Sequence, residues 1–162
     1  LNNMVRILVC IDESNDSRIA LEKAITFATH GSYEKGYHRL YLVHVKHLEK
    51  RKNLLKNGQK SEKDLLHDAA AILDLAVAKQ HQALEQVWFQ KIPLVIEDNA
   101  VGEAVLNVAS KQKCTVIYLG RRGSSHQSTA SKLKPSFSTK GKLTNFLIKN
   151  ASHDLKLYIC KF

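Results

Sequence analysis

The chain has 162 residues, of which 44% are hydrophobic, and a formal net charge of +10. This length suits one domain with a substantial core, and no apolar run reaches the roughly 20 residues that span a bilayer. The N-terminal residues show no charged segment followed by an apolar one, so no secretory signal is predicted. Three widely spaced cysteines lie in apolar runs, which predicts buried thiols in a reducing compartment: Cys10, Cys114 and Cys160.

The first half of the chain alternates apolar runs with helical patterns. Residues 5–11 are nearly all apolar and rich in β-branched side chains, which predicts a central strand buried on both faces. Capping residues at 12–17, followed by apolar positions at helical spacing, predict a helix. Residues 40–45 predict a second interior strand and residues 46–60 a polar connection. A long helix is predicted to begin at about Glu62.

The second half continues the alternation. Residues 87–96 predict a third strand, and Pro93 places it at a sheet edge because proline cannot donate to a central ladder. Asn99 is the predicted N-cap of the next helix, and residues 115–119 predict a fourth strand. Residues 124–140, rich in Ser, Thr and Lys, predict a loop insertion.

A short helix at residues 143–147 and a strand at residues 155–160 complete the pattern. The alternation predicts an α/β protein with a single doubly wound domain over residues 4–162, built on a five-stranded parallel sheet with helices on both faces. A strand order of 3-2-1-4-5 puts the switch point, where such folds bind ligands, between strands one and four. The carboxyl ends of those strands are at Asp12 and Gly120.

Glycines mark the predicted ligand edge. Gly120 and Gly123 follow the fourth strand, and Gly141 and Lys142 open the last helix. Glycines let backbone N–H groups approach a phosphate, and a helix N-terminus adds free donors and a favourable dipole. Residues 104–153 contain no acidic side chain, so this stretch of the chain forms a basic field that attracts anions.

Three segments together resemble the universal stress protein family over nearly the whole chain. The first is an apolar strand followed by Asp-x-Ser-x-x-Ser at residues 12–17, and the second is a strand that ends in His44-Val45. The third is the Gly-x-x-Gly at residues 120–123, with Gly141 as the family's next glycine.

The resemblance implies a protein that binds ATP, with or without Mg²⁺, and acts in stress response or signalling. In ATP-binding members, Asp12 and the backbone at Val45 would contact adenine and ribose, and the three glycines would line the phosphates. The nucleotide-binding residues that it implies are Ile11, Asp12, Val45, Leu119, Gly120, Arg122, Gly123, Gly141, Lys142 and Leu143.

Two departures from the family pattern leave alternatives open. Seventeen residues separate Gly123 from Gly141, a longer spacing than the family's, and Lys142 stands where the family has a hydroxyl residue. A lysine there either pairs with phosphate as a point charge or fills the space that ATP needs. Asp12 caps the first helix, contacts the ligand, or does both. His44, inside a strand, is expected to be a core histidine.

The resemblance also implies a homodimer through the terminal strand at residues 155–160, whose free edge requires a partner. A dimeric interaction protein that binds no nucleotide is therefore the alternative function. The sequence fixes no set of serine, histidine and carboxylate, so at most slow ATP hydrolysis is expected. It shows no aromatic platform or reading helix for nucleic acid. A cytoplasmic location without membrane or nucleic-acid partners is predicted.

Overall fold

The computed structural model of the protein describes residues 4–30, 37–48, 60–97, 100–121 and 141–162. Its strands are β1 (Arg6–Cys10), β2 (Arg39–Leu48), β3 (Trp88–Glu97), β4 (Val116–Gly120) and β5 (Lys156–Cys160). They form one five-stranded, all-parallel sheet in the order β3-β2-β1-β4-β5. The predicted α/β fold and strand order are thus confirmed.

Helices cover both faces of this sheet. They are α1 (Asn15–Thr29), α2 (Glu62–Lys79), α3 (His81–Leu84), α4 (Val101–Lys111) and α5 (Lys142–Asn150). The core on one face joins the sheet to α1 and α2, and the core on the other face joins it to α4 and α5. None of the helices in the described part of the chain combines the length and hydrophobicity that crossing a bilayer requires.

Strand β1 occupies the centre of the sheet, and this position explains why its sequence is continuously apolar. Ile7 and Val9 face the core of α1 and α2, whereas Leu8 and Cys10 face the core of α4 and α5. Ile7, Leu8 and Val9 have no exposed surface. Burial of each such side chain stabilises the fold by about 1.5–3 kcal/mol, so both faces favour apolar residues here.

Strand β2 is longer than predicted, because residues 46–48 continue it instead of beginning a connection. They pair with β3 as far as the partners Leu48 and Glu97. Strand β1 pairs with β2 only as far as Val43, so the end of β2 has one strand neighbour. Lys46 is therefore only half-buried and His47 is exposed, which gives this stretch the polar composition of a loop.

Two further local differences have simple causes. Helix α4 has Ala100 as its N-cap, with no side-chain hydrogen bond, and Asn99 lies outside the described residues. The four-residue helix α3 was not predicted, because one turn is too short to show a helical period. Strand β3, with Pro93, lies at the predicted sheet edge. The loop predicted at residues 124–140 lies outside the described residues.

Candidate functional site

A cleft of ≈ 600 Å³ opens where β1, β2 and β4 end and α4 and α5 begin. Its volume falls within the range of about 300–1,000 Å³ that is usual for small-molecule sites. It lies at the switch point of the sheet, between β1 and β4, where doubly wound folds bind ligands. The lining residues are Cys10, Ile11, Asp12, Val43, His44, Val45, His47, Val101, Gly102, Val105, Leu119, Gly120, Gly141, Lys142, Leu143, Thr144 and Phe146.

The loop after β1 holds Asp12 at the cleft through a closed set of hydrogen bonds. The backbone N–H of Asp12 donates to Ser17 Oγ at 2.9 Å, and Asp12 Oδ1 accepts the N–H of Ser14 at 2.7 Å. Ser14 Oγ accepts the N–H of Ser17 at 3.1 Å and is the N-cap of α1. Asp12 is therefore not the helix cap. Its Oδ2 atom has no hydrogen bond to the described residues and can accept one from a ligand.

Gly120 lines the cleft, but its lack of a side chain is explained by α1. A Cβ at Gly120 would lie 2.8 Å from Asp16 Cβ and 2.9 Å from the backbone nitrogen of Ser17. Real Cβ atoms essentially never come so close to a non-bonded atom, and the obstacles are the Cβ and the backbone of a helix, which cannot move aside. The glycine therefore lets the first turn of α1 approach the end of β4.

The N-terminus of α5 forms another wall. Gly141 is the N-cap and makes no side-chain bond, and its N–H donates to the carbonyl of Arg121 at 2.8 Å. Lys142, the first helical residue, lines the cleft. The hydroxyl of Thr144 is buried and donates to the carbonyl of Gly120 at 3.0 Å, which ties α5 to the end of β4. The first N–H groups of a helix point out of its end, so this turn presents donors to an anion.

His44 connects the ends of β1 and β2. Its Nδ1 lies 2.5 Å from the carbonyl oxygen of Ile11. A carbonyl only accepts, so Nδ1 carries the proton and Nε2 of the neutral ring is an acceptor. Nε2 is buried and has no partner in the described part of the chain, so the expected core histidine is only half satisfied. Burial lowers the pKa of His44, although the bond to Ile11 acts against that shift.

Apolar side chains of α4 and α5 form the remaining wall. The ring of Phe146 lies against Gly102, where an added Cβ would stand 2.0 Å from a ring carbon. Gly102 is thus a packing residue. Val101, Val105 and Leu143 line the cleft beside this contact. The cleft therefore combines an apolar wall with polar groups at the strand ends, a combination that suits a planar base.

Most of the predicted site residues come together in this lining. They are Ile11, Asp12, Val45, Leu119, Gly120, Gly141, Lys142 and Leu143. Arg122 and Gly123 lie outside the described residues. Sequence reasoning missed His47, Thr144 and Phe146 as lining residues. His47 could have been found from the alternation of side chains along β2, which places it on the same face as Val45. The positions of Thr144 and Phe146 in the lining depend on how α5 packs against the sheet, which no local pattern shows.

The thiols are not reactive groups of the site. Cys10, Cys114 and Cys160 are buried and free, as predicted. Burial, together with the charge of Asp12, raises the pKa of the Cys10 thiol to about 12. Cys10 therefore stays protonated in the cleft wall, where it acts as a small apolar residue. Within the described ranges, no three His, Cys, Asp or Glu side chains are grouped so that they could hold a metal ion.

The fold and this cleft define a doubly wound α/β protein with a ligand site at its switch point. The family model described as "Universal stress protein family" matches residues 4–154. The chain therefore belongs to the universal stress protein family. Comparison with curated protein sequences gives no significant match.

Solved structures agree in fold. The universal stress protein UspA from Lactobacillus plantarum is 14% identical, with a TM-score of 0.68 over 99% of both chains. A universal stress protein from Archaeoglobus fulgidus in complex with dAMP is 16% identical, with a TM-score of 0.61 over 98% of both chains. A universal stress protein in complex with cAMP is 15% identical, with a TM-score of 0.61 over 98% of this chain and 97% of that chain. These TM-scores show a shared fold.

Proposed function

We propose that this protein binds an adenine nucleotide, in first place ATP, and acts in stress response or signalling as a binding protein. The observation that carries the proposal is the switch-point cleft. It brings together the Asp12 carboxylate, the end of β2 at Val45 and the N-terminus of α5 at Gly141. These are the polar groups that a base, a sugar and a phosphate require, and the volume suits a nucleotide.

Charge gives the ligand one favoured orientation. Asp12 Oδ2 accepts a hydroxyl of the ribose, whereas its negative charge repels phosphate. The N-terminus of α5 carries partial positive charge and attracts phosphate. The backbone near Val45 and the apolar wall around Phe146 then receive the adenine. The buried Nε2 of His44 is an acceptor close to this position that lacks a partner among the described residues.

The solved relatives support the choice of ligand class. One was solved with dAMP and another with cAMP, and both ligands contain adenine and a phosphate. We extend that chemistry to this chain because it shares their fold and has a cleft at the switch point of its sheet. ATP contains the same adenine and an α-phosphate. It also has the ribose 2′-hydroxyl that dAMP lacks, an uncyclised phosphate in place of the ring of cAMP, and a longer phosphate chain, with Mg²⁺ as the ion that would accompany it.

A binding role fits the chemistry of the lining better than an enzymatic one. Burial lowers the pKa of His44, and its Nδ1 proton is held by the carbonyl of Ile11, so this ring is poorly placed to move protons. Burial raises the pKa of Cys10, which makes it a poor nucleophile. The protein is proposed to work in the cytoplasm, where its three buried free thiols remain reduced.

Titration calorimetry with ATP, with and without Mg²⁺, tests the proposal after any co-purified nucleotide has been removed. The native chain is expected to bind with micromolar affinity. Asp12→Asn keeps an acceptor for the Ser14 N–H but removes the charge, and it should weaken binding about tenfold. Lys149→Gln, at the exposed end of α5, is the control and should bind as the native chain does. Absence of binding by nucleotide-free native protein would refute the proposal.

The edge of β5 favours a second role as a dimeric interaction protein. Tyr158 is 42% exposed and Ile159 37% exposed, although both lie in a strand. Among the described residues β5 is the last strand of the sheet and no strand pairs with its outer edge, which is thus open to a second copy. Sedimentation of the native chain and of Ile159→Lys tests this role, since the charged residue should convert a dimer to a monomer. A native chain that sediments as a monomer would contradict it.

A further inference from the structure

Helix α5 begins differently from the two long helices on the opposite face of the sheet. Helices α1 and α2 begin with a serine side-chain cap and carry acidic residues in the first turn. Helix α5 has no side-chain cap and no acidic residue in its first turn, and its first residue is Lys142. A cation at the positive end of a helix is unfavourable in isolation, so a helix that opens onto a cleft in this way is suited to an anion.

The neighbouring polar groups leave Lys142 as the main source of positive charge in the described lining. The N–H of Gly141 and the hydroxyl of Thr144 both donate to carbonyls at the end of β4 and beyond it. Lys142 is the only lysine or arginine among the described residues that line the cleft, and within the described part of the chain it forms no ion pair. His44, another residue of this lining, has a buried Nε2 without a hydrogen-bond partner among the described residues.

We propose that Lys142 makes this cleft select adenine nucleotides by the number of their phosphates, so that ATP and ADP bind in preference to AMP and cAMP. The inference rests on the proposed function of the cleft. A hydroxyl at this position would offer one hydrogen bond to any phosphate oxygen. An ammonium group is a point charge, and its attraction grows with each phosphate that the ligand adds. Asp12, whose negative charge repels phosphate, orients the ligand so that its phosphates lie at the α5 end of the cleft.

Calorimetric affinities for cAMP, AMP, ADP and ATP test the proposal in three chains. These are the native protein, Lys142→Gln, and Lys149→Gln, which removes the same charge from the exposed end of the same helix. Lys142→Gln is expected to lower the affinity for ATP about tenfold or more and to leave the affinity for cAMP within about threefold. Lys149→Gln should leave all four affinities unchanged. Added salt should weaken the ATP preference of the native chain only, since it screens the charge that Lys142→Gln removes.

Three results would overturn the inference, and they are distinguishable from failure of the proposed function. Equal losses for all four ligands in Lys142→Gln, or no loss, would mean that the lysine does not discriminate by charge. A gain in ATP affinity would mean that Lys142 fills the phosphate space. In each of these cases nucleotide binding itself stands. If the native chain binds none of the four ligands, both the proposed function and the inference fail. Urea unfolding of each variant confirms that the chains compared are folded.

Discussion

Gly120, at the end of β4, touches Asp16, in the first turn of α1, so closely that a Cβ on the glycine would stand 2.8 Å from the Cβ of Asp16. The two residues belong to different signature segments of the sequence, yet they meet behind the cleft wall that Gly120 lines. Asp16 is 2% exposed, and its Oδ1 accepts the backbone N–H of Phe162 at 2.8 Å. The first turn of α1 is thus fixed by contacts from both β4 and the residues after β5.

Gly120→Ala should therefore destabilise the fold by about 1–3 kcal/mol, because the added methyl meets helix backbone that cannot repack. The free energy of urea unfolding measures the effect. Gly141→Ala is the matched control: Gly141 has φ −69° and ψ 163°, a conformation that alanine adopts, and its loss of stability should stay below about 1 kcal/mol. Equal stabilities of the two variants would contradict the packing role of Gly120.

The two oxygens of the Asp12 carboxylate are predicted to have separable roles. Asp12→Ala leaves the N–H of Ser14 without its acceptor and should cost about 0.5–1.5 kcal/mol of stability. Asp12→Asn keeps a side-chain oxygen for this bond, so its unfolding free energy should stay within about 0.5 kcal/mol of the native value. Urea unfolding of both variants without ligand makes the comparison. If Asn destabilises as much as Ala, the charge rather than the hydrogen bond holds the loop.

The fold could be predicted from the sequence because its main determinants are local. The apolar run of β1 reflects burial on both faces, and alternating strands and helices leave few topologies once right-handed crossovers are required. Pro93 alone indicated an edge strand, which β3 is. The same reasoning ended β2 too early, at residue 45. Lys46 is polar, as loop residues usually are, but it lies in β2 and pairs with β3.

The site could be predicted only in part, because several of its contacts join residues far apart in the chain. The sequence pattern located the Asp12 loop. It did not show that Ser14 caps α1 while Asp12 accepts the N–H of Ser14, because that depends on the distances between these groups in the folded loop. The contact of Phe146 with Gly102 depends on how α4 and α5 approach each other. No local pattern distinguishes Phe146, which lines the cleft, from an ordinary core residue of an amphipathic helix.

Stability is expected to fall as the pH drops below about 6.5. Burial lowers the pKa of both His38 and His44 beneath the ordinary histidine value. Below that value the unfolded chain binds protons that the folded chain excludes. The contribution of the two neutral histidines to the free energy of unfolding is therefore complete above about pH 6.5 and is lost as the pH falls through the folded pKa values. His38 Nδ1 also accepts the N–H of Val5 at 3.0 Å, a hydrogen bond that is lost when this nitrogen is protonated.

Urea unfolding between about pH 5 and pH 8 measures this dependence. His38→Gln should make the free energy of unfolding less dependent on pH below about 6.5. His153→Gln, which changes an exposed histidine, should leave this pH dependence as it is in the native chain. A native profile that stays level or rises below about pH 6.5 would contradict the prediction.

Lys113 adopts a backbone conformation that glycine favours. Its φ is 56°, and it follows α4, where its N–H donates to the carbonyl of Ser110 and the N–H of Cys114 donates to that of Ala109. This is the paired arrangement that ends many helices, with glycine usual at the left-handed position. Lys113→Gly should therefore stabilise the fold by about 0.5–1 kcal/mol, because relief of the strained side chain exceeds the added freedom of the unfolded chain.

Lys111→Gly, two residues earlier in the last turn of α4, is the control for this prediction. It removes the same charge and adds the same freedom to the unfolded chain, but at a helical position, so it should destabilise by about 0.5–1 kcal/mol. Thermal unfolding of the two variants should thus shift in opposite directions from the native midpoint. A shift of both in the same direction would mean that net charge, rather than the backbone conformation of Lys113, sets the stability of this turn.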